Sequence, residues 1–311
     1  MFNTTHTLVG IAIARAGTDK WARNAIATAV IASNFPDIDS IAGLWGTATY
    51  LEHHRGITHS LIGVPIFALV VSAVMHLFSE KFWKTYAIAL IAMATHPALD
   101  YLNSYGIRPL LPFSGKWYYG DVVFIFDPYL DVVLFAGVHA GFLWPHRRRS
   151  ATWISLALSL LYIAARVELH NMAVSQVRQL ANIRDADRLA VLPNVNPLQW
   201  DVIAESKSQI VRFDWDAWSQ VRVESSVTTL DSAPQSGIIE HARTTPDARA
   251  MFRFARFPVT RLHKLPSGYR VTFMDFRFYR EPAKTALATE VTLDESMKVL
   301  NEQTSFVQKI N

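Results

Sequence analysis

Residues 61–78 form eighteen consecutive positions without a charged side chain. As a helix rising about 1.5 Å per residue, such a run covers about 27 Å, near the thickness of a bilayer's hydrocarbon core. It can be buried in lipid or in the centre of a large bundle, and in little else. Residues 85–99 and 150–165 are also uncharged, and 122–144 is apolar apart from Asp127, Asp131 and His139. Residues 7–14 and 25–33 are short and Ala-rich, and read as a packed or half-inserted helical hairpin. Only 18% of the 311 residues are charged and 50% are hydrophobic, against about 25% charged in an average soluble domain. The expected N-terminal half is therefore an all-α, multi-pass membrane bundle. The shorter runs fall below the usual spanning length, so core helices of a soluble bundle are the alternative. The start of the chain lacks a basic region and a small-residue cleavage site, so no cleavable signal is expected.

After Arg166 the texture changes, as Asp, Arg, Pro and Ser return and apolar residues begin to alternate. Val221, Val223, Ser225 and Val227 share one face of a candidate strand, and residues 249–259 are another candidate. In residues 269–280 the alternation Tyr269, Val271, Phe273 slips to Met274, Phe276, Phe278, as a β-bulge would make it do. The expected class is α+β. Residues 1–167 form a helical membrane domain, 168–198 a connecting segment (with 169–187 a candidate helix), and 199–311 a small antiparallel β-rich soluble domain.

The chain has no Cys, which excludes disulfides, thiolate zinc sites and a cysteine nucleophile. Any metal must be held by His and carboxylates. The net charge is +4, but the only dense basic run is Arg147-Arg148-Arg149, so nucleic acid is not an expected partner. No P-loop, Gly-x-Gly-x-x-Gly or Gly-x-Ser-x-Gly occurs, which leaves nucleotide, dinucleotide and serine-hydrolase readings unsupported.

Six of the eleven His lie in the first hundred residues, within the apolar part. The polar clusters there are His6, Asp37 with Asp39, the string His53 to Ser60, His96 with Asp100, Asn103, Asp121 and Asp127. Each sits at an end of an apolar run. Traced through alternating crossings, with the first two helices as a hairpin, all of them fall on one face of the bundle. His96 and Asp100 are one helical turn apart and can present a two-ligand platform, although a helix-end His and an Asp cap give the same spacing. Asp37 and Asp39 follow Pro36 in a turn, where capping competes with ligation. His53, His54 and His59 flank Arg55-Gly56, and not all three are needed. Thr58 is a candidate N-cap, which would keep His59 neutral. The combined set, about three His and three carboxylates, suits Zn²⁺ or Mn²⁺. His76 reads as packed or snorkelling, and Asp131 and His139 as inward-facing polar residues.

The Thr5-His6 pair, Pro36-Asp37-Ile38-Asp39, the His54–Ser60 string His-Arg-Gly-Ile-Thr-His-Ser, His96-Pro97-Ala98-Leu99-Asp100, Asp121 and Asp127-Pro128 resemble the YdjM-like family. This is a family of membrane-bound metal-dependent hydrolases, also labelled LexA-binding and inner-membrane-associated. The resemblance covers about residues 1–165 and implies a bacterial inner-membrane hydrolase. A fainter likeness is to zinc-dependent phospholipase C, whose ligand order His, Asp, His, His-x-x-x-Asp is matched by His6, Asp37, His59, His96 and Asp100. The later His and His-x-x-x-Glu of that fold have no counterpart here, so one or two ions are expected rather than three. The expected function is hydrolysis of a phosphate or other ester of an amphiphilic substrate. His6, Asp37, His59, His96 and Asp100 are the expected metal ligands, Asp39 a bridging carboxylate or general base, and Arg55 an anion clamp. The alternative is a non-enzymatic integral membrane protein that uses the cluster for metal sensing or transport, with the C-terminal domain binding a partner. Lys81, Lys84 and Arg147 to Arg149, joined by Arg15, Lys20 and Arg23, fall opposite the cluster. Because cytoplasmic loops are rich in such residues, the cluster and the C-terminal domain are expected on the periplasmic or outer face.

Overall fold

The computed structural model describes residues 1–78, 81–180, 183, 186–206, 209–218, 220–222, 228–231, 236–280 and 284–309. Seven helices form the N-terminal part: α1 (Asn3–Arg15), α2 (Ala25–Asn34), α3 (Thr47–His53), α4 (Gly63–His76), α5 (Phe82–Tyr101), α6 (Pro128–Leu143) and α7 (Arg148–Val177). Short 3-10 stretches, Phe35–Trp45 and Ile57–His59, flank α3. Alanines on one face of α2 (Ala25, Ala29, Ala32) meet Val64, Ala68 and Val71 of α4 and Ile88, Ala89 and Ala92 of α5. The other side of α1 packs Leu8 and Val9 against Leu130 and Leu134 of α6, with Leu156 and Ile163 of α7 behind. A Cβ at Gly10 would come within 2.5 Å of Ser33 Oγ and 2.9 Å of the Ala29 carbonyl oxygen, so only glycine lets α1 lie this close to α2.

The apolar runs become shorter helices than their lengths suggest. The run 61–78 gives 14 residues of helix, because residues up to Ile62 complete the turn from His59. In 122–144 the helix begins only at Pro128, capped by Asp127, whose side chain accepts from the Tyr129 and Leu130 amides. Val122 and Val123 instead donate their amides to the Leu102 carbonyl. Among the described residues one helical stretch, Pro145–Val177, is long and apolar enough to cross a membrane. A second qualifies only if Thr47–His59 and Gly63–His76, bent by 79°, count as one span. Outer faces are nonetheless strongly apolar, with Leu160, Leu161, Phe142 and Phe135 all more than half exposed. Exposed apolar surface of this kind marks membrane or protein contact.

The first half of the candidate helix at 169–187 is the end of α7, which runs unbroken from Arg148 through the expected boundary at 167 to Val177. Two antiparallel sheets follow. The first contains β1 (Arg188–Pro193), β2 (Gln199–Ser206), β3 (Gln209–Asp216), β4 (Gln220–Arg222) and β5 (Thr228–Asp231), in the order β1-β2-β3-β4 with β5 also on β3. Helices α8 (Gly237–Arg243) and α9 (Pro246–Phe254) lead to β6 (Pro258–Leu265), β7 (Gly268–Asp275), β8 (Tyr279–Arg280), β9 (Lys284–Leu293) and β10 (Val299–Lys309), ordered β10-β9-β7-β6 with β8 on β9. The sheets face each other through Leu192, Ile203 and Ile210 on one side and Val259, Met274 and Phe276 on the other. The first sheet's far face packs Trp200, Val202 and Trp215 on Ala173 and Val177 of α7. The second sheet's far face packs Val271, Phe273 and Leu287 on α8, α9 and Leu51 of α3.

Residues 249–259 are therefore not one strand. Pro246 and Asp247 open a helix whose buried face is Ala248, Met251 and Phe254, and the strand starts at Pro258. The slip in 269–280 is no bulge. Val271 and Phe273 face the helices while Met274 faces the other sheet, and the chain then turns through the 3-10 stretch Phe276–Phe278. Both faces of β7 are covered, so alternation cannot mark an inside and an outside. Val221 lies in β4, whereas Val223, Ser225 and Val227 fall outside the described residues.

Candidate metal centre

Three segments converge where α2 ends, α5 ends and the chain turns after α3. Pro36 opens the 3-10 stretch that carries Asp37 and Asp39. His54 to Ser60 forms a tight turn in which Arg55 takes a left-handed φ of 56°. A Cβ on Gly56 would lie 2.5 Å from the His53 carbonyl oxygen, so the turn needs that glycine. Helix α5 runs through Pro97, with His96 and Asp100 on one buried face.

Asp37 Oδ1 lies 3.6 Å from His59 Nε2 and 3.3 Å from His96 Nε2. Asp100 Oδ2 lies 3.4 Å and 3.6 Å from the same two nitrogens. One donor atom from each of these four residues falls within 4.8 Å of all the others. Donors about 2.1 Å from a tetrahedral cation stand about 3.4 Å apart, so this spacing fits a divalent ion.

The hydrogen bonds behind the rings fix which nitrogen is free. His96 Nδ1 is 2.7 Å from the Ser33 carbonyl oxygen, which can only accept, so Nδ1 carries the proton and Nε2 presents a lone pair. His59 Nδ1 is 3.0 Å from Thr58 Oγ1, whose own proton goes to Asp39 Oδ2 at 2.6 Å. Thr58 is thus an acceptor toward His59, whose Nε2 is left free in the same way. His59 Nε2, His96 Nε2 and Asp100 Oδ2 are all buried without a hydrogen-bond partner. Orphaned buried groups are costly unless something absent satisfies them, and a cation held by these residues would satisfy all three.

The other candidates stand around this group. The His6 ring stacks on that of His96, centroids 3.7 Å apart, with Nε2 3.5 Å from Asp100 Oδ1. The Met1 amino group contacts the same Asp100 oxygen. His6 thus faces the oxygen of Asp100 that points away from the four-residue group. Asp39 accepts from His54 Nδ1 at 2.7 Å, Thr58 Oγ1 at 2.6 Å and the Arg55 amide at 3.0 Å. Arg55 is buried, with Nε 3.1 Å from Asp100 Oδ2 and Nη1 donating to Asn103 Oδ1 and the Gly106 carbonyl.

Several polar residues lie elsewhere. His53 and His76 are exposed, and exposed His139 stacks on Phe135. Asp131 accepts from Thr5, and Asp121 is held by Arg256 at 2.7 Å. Asp127 caps α6 and accepts from Tyr162 at 2.7 Å. Thr58 caps no helix, because its turn is 3-10 and α4 begins at Gly63. The Ser33 carbonyl went unforeseen, since a backbone group leaves no residue-type signal.

Residues 1–173 match the family described as YdjM inner membrane protein, and residues 237–311 match the YfhP C-terminal alpha/beta plait domain. An uncharacterized protein YfhP from Bacillus subtilis (strain 168) is 23% identical over 322 residues, covering 97% of this chain and 94% of that protein. No solved structure matches. With more than half its length matched, the chain belongs to the YdjM inner membrane protein family.

Proposed function

We propose that this chain is a membrane-bound, metal-dependent hydrolase that cleaves a phosphate or other ester of an amphiphilic substrate. The observation that carries the reading is the convergence of four donors, three of them buried, with two imidazole lone pairs aimed at one point. Asp37, His59, His96 and Asp100 would hold a Zn²⁺ or Mn²⁺ ion, with His6 beside them on the outer oxygen of Asp100. Such an ion supplies Lewis acidity toward an ester oxygen and lowers the pKa of water. Asp39 orients His54 and His59 from behind. Arg55, fixed against Asp100, offers positive charge to an anionic head group. A membrane location agrees with the exposed apolar faces of α6 and α7.

The sidedness proposal rests on the opposite end of the bundle. Arg148 pairs with Asp19, and Arg149 donates to the Ala16 carbonyl, so the basic links 15–23 and 145–149 share one end. With that end cytoplasmic, the metal centre and both sheets face the periplasmic or outer side. The test of the function is metal analysis of purified protein together with a panel of phosphoester and lipid substrates. His59→Ala and Asp100→Ala are expected to lose both bound metal and turnover. Retention of both by either variant rejects the proposal.

A further inference from the structure

A partly open cavity of about 210 Å³ lies between the helical part and the second sheet, and belongs to neither alone. Its near wall is Tyr50, His54, Arg55, Tyr105 and Trp117; its far wall is Phe254, Phe278, Ala286, Leu287 and Phe306. The lining is graded. At one end stand the Arg55 guanidinium, 3.1 Å from Asp100, and His54, 2.7 Å from Asp39. The remainder is aromatic and aliphatic, with Phe278 5.2 Å from Tyr105 and Phe306 edge-on to Tyr50. One water needs roughly 10–15 Å³, so this space is far larger than a water site. An apolar wall holds water poorly, and apolar cavities of roughly 150 Å³ stay dry and accept benzene-sized ligands. Pockets at domain interfaces with a few polar groups at one end are the common form of a ligand site.

We propose that this cavity takes the hydrocarbon chain of a phosphate-ester amphiphile, that its head group meets Arg55 and His54, and that the C-terminal domain is present to supply the far wall and so select the chain. A guanidinium beside a carboxylate-lined metal centre suits an anionic head, and the aromatic walls suit a chain rather than a sugar or a peptide. Half-exposed Phe306 stands at the rim, where a chain drawn from a bilayer would enter. The identity of the head group rests on the hydrolase reading; the chain pocket does not.

The test uses the full-length protein in lipid nanodiscs, stripped of metal with chelator so that nothing turns over. Decyl phosphate with a diazirine at the chain tip is added and irradiated, and labelled peptides are mapped by mass spectrometry. Labelling is expected on peptides carrying Phe254, Phe278, Leu287 or Phe306, and should be competed by plain decyl phosphate. Ala286→Trp fills the cavity from an exposed strand position and should cut labelling roughly tenfold, the order expected when chain contacts are lost. Leu287→Phe, a milder filling change, should lower it in the same direction. Labels confined to the outer faces of α4, α6 and α7, or labelling unchanged in both variants, overturn the proposal. Cavity labelling without phosphoester hydrolysis by the metal-loaded protein leaves the pocket standing and removes the hydrolase reading. Hydrolysis without cavity labelling does the reverse.

Discussion

His59 and His96 reach the same state by different means, one through a threonine and a carboxylate, the other through a backbone carbonyl. Asp39→Asn keeps all four candidate ligands but weakens the group that orients His59. Metal affinity should fall roughly 10–100-fold without being abolished, as read by chelator competition. A second residue-level prediction concerns pH. Burial lowers the His54 pKa, against the pull of Asp39, so the folded protein binds this proton less readily than the unfolded chain does. Below about pH 6.5 the unfolded state therefore takes up a proton that the folded state refuses, and stability falls as pH drops. Metal-free protein should unfold at lower temperature at pH 5.5 than at 7.5, and His54→Gln should flatten that slope. One group contributes at most about 1.4 kcal/mol per pH unit. The residue types and their shared face were legible in the sequence, because buried imidazoles and carboxylates are costly and stand out in an apolar chain. Which oxygen of Asp100 faces which ring was not, since that depends on side-chain rotation.

Helices α1 and α2 set the distance between His6 and the Ser33 carbonyl, and their separation rests on one missing side chain. Gly10→Val puts branched carbon where Ser33 and Ala29 already stand. Overpacking of this kind costs about 1–3 kcal/mol. The variant should melt earlier and lose metal affinity, although no ligand has changed; thermal unfolding and metal content read the two effects. At this scale the sequence gives the existence of elements better than their limits. The run 61–78 reads as one helix, yet the turn after His59 consumes its start, because the chain must reverse after delivering that ring. Residues 249–259 mislead for a different reason. Ala250, Phe252 and Phe254 alternate like strand residues, while the buried set Ala248, Met251, Phe254 follows a helical period only with small Ala248 included.

Across the whole molecule, the α+β division was visible as a change in texture, although that change sets in after Arg166, inside α7 and ahead of its end at Val177, and the docking of the second sheet onto α3 was not visible. That contact joins residues about 200 positions apart through pairs such as Arg253 with Glu52, and no local pattern encodes it. Orientation is the prediction at this scale. Alkaline phosphatase fused after the last residue should be active, and a cytoplasm-dependent reporter at the same point silent; the opposite pattern would place the metal centre on the cytoplasmic side. The packing of Phe306 of β10 on Tyr50 of α3 also has a consequence in time. Phe306 is synthesised roughly 250 residues after His59, an interval of roughly 10–50 s at ribosomal rates of about 5–20 residues per second. During biosynthesis the four candidate ligands, all within the first hundred residues, are thus already in the chain before the strand that packs Phe306 on Tyr50 has been made.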